Sequence, residues 1–540
     1  MENTRKTTFE DIKKALWNAA DTFRDSIDAS NYKDYVLSML FVKYLSDTFD
    51  EKVQELKRDY EGIRLERQIK NLPFVLKREY TFDYLNENKM DANIGSLISE
   101  ALIGIENSNP ILSGIFRGID FNSEANLGKK EQKNPILRSL LGDFANLDLH
   151  PSNIECKEGQ VPADIVGDAY EYMIGEFATM AGKKAGSFFT PQEVSEVMAN
   201  IVEPQRGDRV YDPTCGSGSL LIRAAKKGGI QNVQIYGQEL TSSAISMARM
   251  NMFIHDILDA RIAWGDTLAN PQHLDGDGNL MQFDCIVANM PFSKDKWAQG
   301  FNAGGEAVGD EEENLAKGKK AKKEIEFKME AGLDRYHRFD IGVPPASKGD
   351  WAFLLHMIYS MSGNGRVAAV APHGVLFRGA TEGRIRQTIV EKNLIDAVIG
   401  LPENLFYGTS IPACILVFRK GRKDTDVLFI DASKSFKKEK EMNKLEKVNI
   451  DKIIKTYKAY KDGSYNELPN EYKDKYSHIA TLDEIKENEY NLNIPRYVDT
   501  FEEEEIIDID AVNAEIAEIK GKIEDVEEQM DKYLKELGLK

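Results

Sequence analysis

The sequence predicts an α/β fold: a doubly wound, mostly parallel Rossmann-like sheet, an α-helical N-terminal domain and a C-terminal helical tail that reads as coiled coil. Three patterns carry this expectation. Through roughly the first 150 residues, apolar side chains recur at helical spacing, as in Val36, Leu37, Leu40, Phe41, Tyr44 and Leu45. Between about 205 and 430, short β-branched runs alternate with helical segments. In the last thirty or so residues the apolar positions fall in steps of three and four.

The N-terminal stripe, with charges between its apolar positions, is that of helices packing on one another over 1–150. Helices continue beyond Pro151, with Asp164 to Phe177 apolar on one side, and end at Gly186-Ser-Phe-Phe-Thr-Pro191. Pro191 is suited to open a further helix, with Thr190 as its N-cap. The strand candidates are Arg209–Tyr211, Gln234–Gly237, Phe283–Ala288, Arg366–Ala371, Ile395–Gly400 and Ala413–Phe418. Their alternation with helices implies parallel pairing with both faces covered, over a domain of 151–430. A charged insertion at about 298–347 breaks this rhythm. It holds Asp310-Glu-Glu-Glu313 followed by Lys317, Lys319, Lys320, Lys322 and Lys323, and reads as a solvated loop; a basic flap beside nucleic acid is the sharper alternative. An extension over 431–508 leads to a heptad helix over 509–540. Its seam is Ile509, Val512, Ile516, Ile519, Ile523, Val526, Met530, Tyr533 and Leu537. So narrow a seam calls for a partner helix, in this chain or another.

Apolar residues make up 42% and charged residues 29% of the 540, as in ordinary globular proteins. No apolar run approaches the roughly 18 residues that cross a bilayer, and the polar start MENTRKTTFED lacks a secretory pattern. Cys156, Cys215, Cys285 and Cys414 lie far apart, with no CxxC, which argues against a zinc site and for a reducing, cytoplasmic location. The net charge of −19 is unusual for a chain that grips nucleic acid alone, because phosphate contacts call for a basic face.

The strongest chemical element is Arg209-Val-Tyr-Asp-Pro-Thr-Cys-Gly-Ser-Gly-Ser-Leu-Leu221, a strand, a glycine turn and a helix start. Gly216 and Gly218 allow close approach of a ligand to the backbone, and Ser217 and Ser219 flank them at the open N–H groups of the helix. The dinucleotide signature GxGxxG is absent, and Asp212 is unwelcome beside a pyrophosphate. An acid there suits a cationic or zwitterionic ligand such as S-adenosylmethionine. Glu239, about 20 residues on and just past the second strand, is placed to accept from ribose hydroxyls. Asp266 could take an adenine amine, although an ordinary turn aspartate reads almost as well.

Phe283-Asp-Cys-Ile-Val-Ala-Asn-Met-Pro-Phe-Ser293 is the decisive segment, an apolar strand ending in Asn289. An exocyclic amine on a base is a poor nucleophile, since its lone pair is delocalised into the ring. The Asn289 carboxamide and the Met290 carbonyl could hold its two N–H groups, Pro291 would stiffen the turn, and Phe292 could stack on a flipped base. Positioning then matters more than a strong base.

These residues resemble the amino-methyltransferase family, specifically the modification subunits of type I restriction-modification systems. The matching segments are Phe188-Phe-Thr-Pro191, Asp212–Leu221, Asn289–Phe292, Asp350-Trp-Ala-Phe-Leu-Leu-His356, Leu401–Pro412 and Leu492-Asn-Ile-Pro-Arg-Tyr497. The resemblance implies adenine N6 methylation in DNA. Ser187, Phe188, Phe189, Thr190, Pro191 and Gln192, with Ser217 to Ser219, would line the S-adenosylmethionine site. Glu239 would hold the ribose, and Asn289 to Phe292 the target adenine. It also implies partners: a separate specificity subunit, a second modification subunit and, where present, a restriction subunit. That would account for the acidic charge, with the heptad tail as the docking helix. The sequence departs from the family at Met290, where a second proline is usual, and in a longer segment from about Asn302 to Leu333. Protein glutamine N5-methylation uses a similar cradle but a shorter chain, and an inactive cofactor-binding scaffold is the non-enzymatic alternative. An oxidoreductase is disfavoured by Asp212.

Overall fold

The computed structural model describes residues 5–24, 27–181, 189–304, 329–406, 409–440, 442–500 and 509–539. The described chain falls into two compact units, Met1–Val498 and Asp499–Lys540.

The larger unit begins with helices α1 (Phe9–Arg24), α2 (Ala29–Asp59), α3 (Gly62–Lys70), α4 (Phe82–Glu87), α5 (Ile94–Ser108), α6 (Glu124–Leu127), α7 (Lys130–Ala145) and α8 (Pro162–Ala181). Val36, Leu37, Leu40, Phe41 and Leu45 of α2 are buried, as their spacing predicts. In α8, Ile165, Val166, Ala169, Tyr170, Met173, Ile174 and Phe177 join the same core. α8, beyond the boundary expected at 150, therefore packs on the helices before it.

After α9 (Gln192–Val202) come β1 (Arg209–Asp212), α10 (Ser219–Gly228), β2 (Gln234–Glu239), α11 (Ser242–Ile254), β3 (Arg261–Trp264) and β4 (Phe283–Asn289). Then follow α12 (Asp350–Tyr359), β5 (Met361–Pro372), α13 (Gly374–Phe377), α14 (Ala380–Glu391), β6 (Ile395–Gly400), β7 (Ala413–Arg419) and β8 (Val427–Asp431). A short hairpin, β9 (Lys437–Lys438) and β10 (Asn443–Lys444), precedes α15 (Lys447–Asp462), β11 (Ser477–Ala480) and α16 (Leu482–Glu487). The main sheet has the order β11-β8-β6-β7-β5-β4-β1-β2-β3. β7 runs antiparallel to both β5 and β6, and β11 antiparallel to β8, while the remaining pairs are parallel. The reversed strand between β5 and β6 separates this sheet from the dinucleotide-binding order 3-2-1-4-5-6.

Side chains along the central strands alternate between two cores. Cys285 and Val287 of β4 face one, Ile286 and Ala288 the other; in β7, Ile415 and Val417 oppose Cys414, Leu416 and Phe418. Burial on both faces is why these segments are apolar without interruption. Within the 431–508 extension, the residues up to Val498 continue the sheet: β11 closes one edge, and Leu492, Ile494, Tyr497 and Val498 enter the second core. Helix α11 contributes Met247, Met250 and Phe253 to the helical core, welding helices to sheet.

Among the described residues the smaller unit holds one helix, α17 (Ile509–Glu536), which the seam follows to Leu537 just beyond its end. Its seam residues Val512, Ile516, Ile519, Ile523, Val526, Met530, Tyr533 and Leu537 are all exposed.

Candidate active site

The chain lays β2 and β3 on one side of β1 and β4 on the other, so the topological switch lies at the carboxyl ends of β1 and β4, where open α/β sheets bind ligands. Asp212 ends β1 and Asn289 ends β4. The predicted acid and the predicted carboxamide thus meet at one crevice.

The turn after β1 holds Gly216 at φ +53° and Gly218 at φ +80°, left-handed values that strain other residues. Their reasons differ. The Gly216 amide donates to Glu239 Oε2 at 3.1 Å, closing the glycine turn onto the end of β2. Gly218 packs instead: a Cβ there would lie 2.8 Å from Met252 Cε and 3.5 Å from Ala248 Cβ, so its bareness seats α11 against α10. Ser217 and Ser219 are buried with their hydroxyls 3.1 Å apart.

Asp212 is 2% exposed, and its Oδ1 accepts from the Thr214 amide at 2.9 Å. Burial pushes its carboxyl up to about 8, against the opposing Thr214 bond and with the nearby Glu239 charge adding to the rise. Glu239 Oε1 accepts from the amide and hydroxyl of Thr241, both at 2.8 Å. With the Gly216 bond, about three of the carboxylate's four acceptor positions are taken, leaving one toward the cleft it lines with Asp266 and Pro291.

Asn289 lines two adjoining cavities, one with Thr190, Asp212 and Ser217, the other with Glu239, Asp266 and Pro291. Its Nδ2 donates to Thr190 Oγ1 at 3.2 Å, which orients the carboxamide. The structure corrects one expectation here: Thr190 does not cap α9. Pro191 occupies the N-cap without a side-chain bond, because the Thr190 hydroxyl is engaged by Asn289. Phe189 lines the first cavity with Thr190, whereas Pro191 and Gln192 line a separate groove toward α8. Ser187 and Phe188 lie outside the described residues, as do 305–328 of the charged insertion.

Met290 is buried, its side chain packed in the second core. Phe292 packs edge-on to Phe406, ring centroids 5.9 Å apart, and lines neither cavity. The Asp266 Oδ1 accepts from the Leu268 and Ala269 amides at 2.9 and 3.2 Å, the turn role weighed above, while its residue also borders the cleft.

Two supports were not singled out from sequence. Asp350, fully buried at the start of α12, accepts from the Ser293 amide at 2.6 Å and from Arg378 at 2.5 Å, pinning the backbone just after Phe292. Ser293 has φ +50°, so that grip holds a strained residue. Asp350 opens one of the segments that carry the resemblance, but its local signal, an acid opening an otherwise apolar helix, does not reveal this grip. The second support is buried Arg338, which bonds Asp334, the carbonyls of Thr267 and Leu268, and His356 Nδ1 at 3.0 Å. Burial and Arg338 drive the His356 pKa well below its ordinary value, so the imidazole is neutral. With Nδ1 accepting from Arg338, Nε2–H donates to Tyr211 Oη at 3.1 Å. Thr267 Oγ1 in turn donates to the Pro213 carbonyl at 2.7 Å, binding the Asp266 loop to the glycine turn.

Asp350→Ala should lower the transfer rate at least about tenfold and cost about 2–4 kcal/mol, since it orphans the Ser293 amide and one of two acid partners of Arg378. Asp350→Asn, which keeps one acceptor, should recover part of both in melting and turnover assays.

A strand-turn-helix with an acid at its first turn, joined at the switch point to a carboxamide-proline turn, defines the class: a nucleotide-fold methyltransferase directed at an amine. Comparison narrows this. The N-6 DNA Methylase family matches residues 161–506 and the HsdM N-terminal domain residues 12–144. The chain is 32% identical to the type I restriction enzyme MpnII methylase subunit of Mycoplasma pneumoniae, over 99% of this chain and 98% of that one. It is 30% identical to the MjaVIII methylase subunit of Methanocaldococcus jannaschii, over 99% and 86%. The crystal structure of a type I restriction-modification methyltransferase subunit from Streptococcus thermophilus superposes with a TM-score of 0.74 at 35% identity, covering 91% of this chain and 100% of that one. The chain belongs to the N-6 DNA methylase family, among the type I methylase subunits.

Proposed function

We propose that the chain methylates the N6 amino group of adenine in DNA from S-adenosylmethionine, as the modification subunit of a type I complex with a separate specificity subunit and a second modification subunit. One observation carries the reading: Asn289, fixed through Thr190, opens on the same crevice as Asp212 and Glu239.

When bound, S-adenosylmethionine supplies an electrophilic methyl on a positive sulfur. The residues fit such a ligand. Asp212 is a buried acid held largely neutral, with Thr214 as its polar partner, and a cationic group is what would ionise it. Glu239 keeps an acceptor position for a ribose hydroxyl. Asn289 Oδ1 and the Met290 carbonyl accept the two amine hydrogens of a flipped adenine, and N6 gives up a proton to water as its new bond to carbon forms. Pro291 lines the cleft in which the base would lie, whereas Phe292, packed on Phe406, is not placed to stack on it. The acidic total charge supports a reading in which the specificity subunit supplies most of the DNA grip.

The test is transfer of a labelled methyl to DNA by the chain co-expressed with its specificity subunit, with N6-methyladenine identified by mass spectrometry. Label on protein glutamine, or none, overturns the reading. A second expectation concerns pH. At pH 7 the Asp212 carboxyl, titrating near 8, is mostly protonated. Binding a cation ionises it, so affinity should rise up to about tenfold per pH unit from 6 toward 8 and level above. Calorimetry at pH 7 in two buffers should register release of close to one proton, abolished in Asp212→Asn.

A further inference from the structure

Beneath the glycine turn lies a buried polar chain that none of the roles above uses. Asn251, on α11, is fully buried and its Nδ2 donates to the Ser217 carbonyl at 3.1 Å. The same Nδ2 lies 3.4 Å from Oε1 of Glu171, which is 1% exposed and sits on α8 in the helical core. His255 closes the group: its Nδ1 meets the Asn251 carbonyl at 3.0 Å, and its ring lies where Gly167 leaves room, since a Cβ on Gly167 would fall 2.4 Å from Nε2. Asp168, Glu171 and His255 stand close enough to hold a metal ion. However, Arg223 is 3.6 Å from Glu171 and Lys226 is 3.6 Å from Asp168, so these carboxylates already face cations and the cluster reads as a polar joint.

We propose that Asn251 is a positioning residue for the methyl donor, and that through Glu171 it couples the N-terminal helices to the cofactor turn; this rests on the reading of that turn as the S-adenosylmethionine site. A carboxamide can donate to Ser217 and to Glu171 at once because its two N–H groups diverge. Holding the Ser217 carbonyl fixes the peptide that joins Ser217 to Gly218, and with it the faces of Ser217 and Ser219 that line the donor cavity. Because the acceptor on the far side belongs to α8, a shift of the helices pulls on the turn, and an occupied turn stiffens the helix in return. Such coupling is reciprocal.

The full-length chain is titrated with S-adenosylmethionine by calorimetry, and its amide exchange is followed with and without the ligand. Asn251→Leu, of similar size but without donors, should weaken binding about tenfold, the effect of a lost buried hydrogen bond. Glu171→Gln keeps an acceptor oxygen and should stay within about twofold of wild type, whereas Glu171→Leu should fall about three- to tenfold. In the wild-type chain the ligand should slow exchange at α8 amides around 168–172 as well as in the glycine turn, and the α8 protection should vanish in Asn251→Leu. Should Asn251→Leu not fold, the wild-type exchange pattern decides alone: protection of the turn with none in α8 overturns the coupling. Wild-type affinity in a folded Asn251→Leu overturns the positioning role. A wild-type chain that binds no S-adenosylmethionine overturns the cofactor reading itself, a separate outcome.

Discussion

Replacing Asn289 by alanine will lower methyl transfer to DNA by ~10²–10³-fold or more, the range seen when a single preorganised polar contact to a reacting centre is removed. The amine of adenine has no usable lone pair until its hydrogens are held out of the ring plane, and the Asn289 oxygen is the side-chain acceptor at the end of β4 available for this. Donor binding should remain within about threefold, because the Asp212 turn and Glu239 keep their own bonds when the side chain is gone. Asn289→Asp separates the two halves of the role. It keeps an acceptor but loses the donation to Thr190, so its rate should fall between wild type and alanine. Single-turnover rates with saturating donor measure the loss, and calorimetry the affinity. An alanine variant that transfers at the normal rate would remove Asn289 from the chemistry.

The second large effect concerns assembly. A chain ending at residue 508 should stay monomeric when mixed with the specificity subunit, and should methylate no DNA, yet bind donor as the full chain does. The tail forms a unit of its own, and Met1–Val498 forms a compact unit by itself. Eight apolar seam residues of α17 are exposed. Seating each against a partner helix would contribute about 1 kcal/mol, on the order of 8 kcal/mol together, comparable with the cost of association. Size-exclusion chromatography and a pull-down with the specificity subunit test it; full recovery of the complex by the truncated chain sinks the docking role.

Period and punctuation made much of this molecule readable. The six strand candidates lie in β1, β2, β4, β5, β6 and β7, because strands buried on both faces are mostly apolar and are broken by turn residues. Asp212, Glu239 and Asn289 stand out in the sequence as polar residues ending apolar strands, and Gly216 as part of the turn that follows, and the fold brings them to one crevice. The direction of β7 was not: alternation reveals that a strand exists, while its reversal depends on how the 401–412 connection returns. The membership of α8 in the helical core escaped notice because its buried stripe suits either neighbour. Thr190, Asp350, Arg338 and Asn251 act across separations of tens of residues or more, which no local pattern encodes. Gly218 shows the converse, a motif glycine whose need is packing on Met252 and Ala248.

Burial has also sealed most of the sulfur chemistry. Cys215, Cys285 and Cys414 are enclosed, and burial lifts all three thiols above their ordinary value, Cys285 to about 12. Cys156 alone among the four is partly exposed. A maleimide reagent at neutral pH should therefore mark the native chain once, beside the helical core and away from the crevice. The unaltered protein carries a ready attachment point for a fluorophore, from which movements of the helices could be watched while the enzyme turns over.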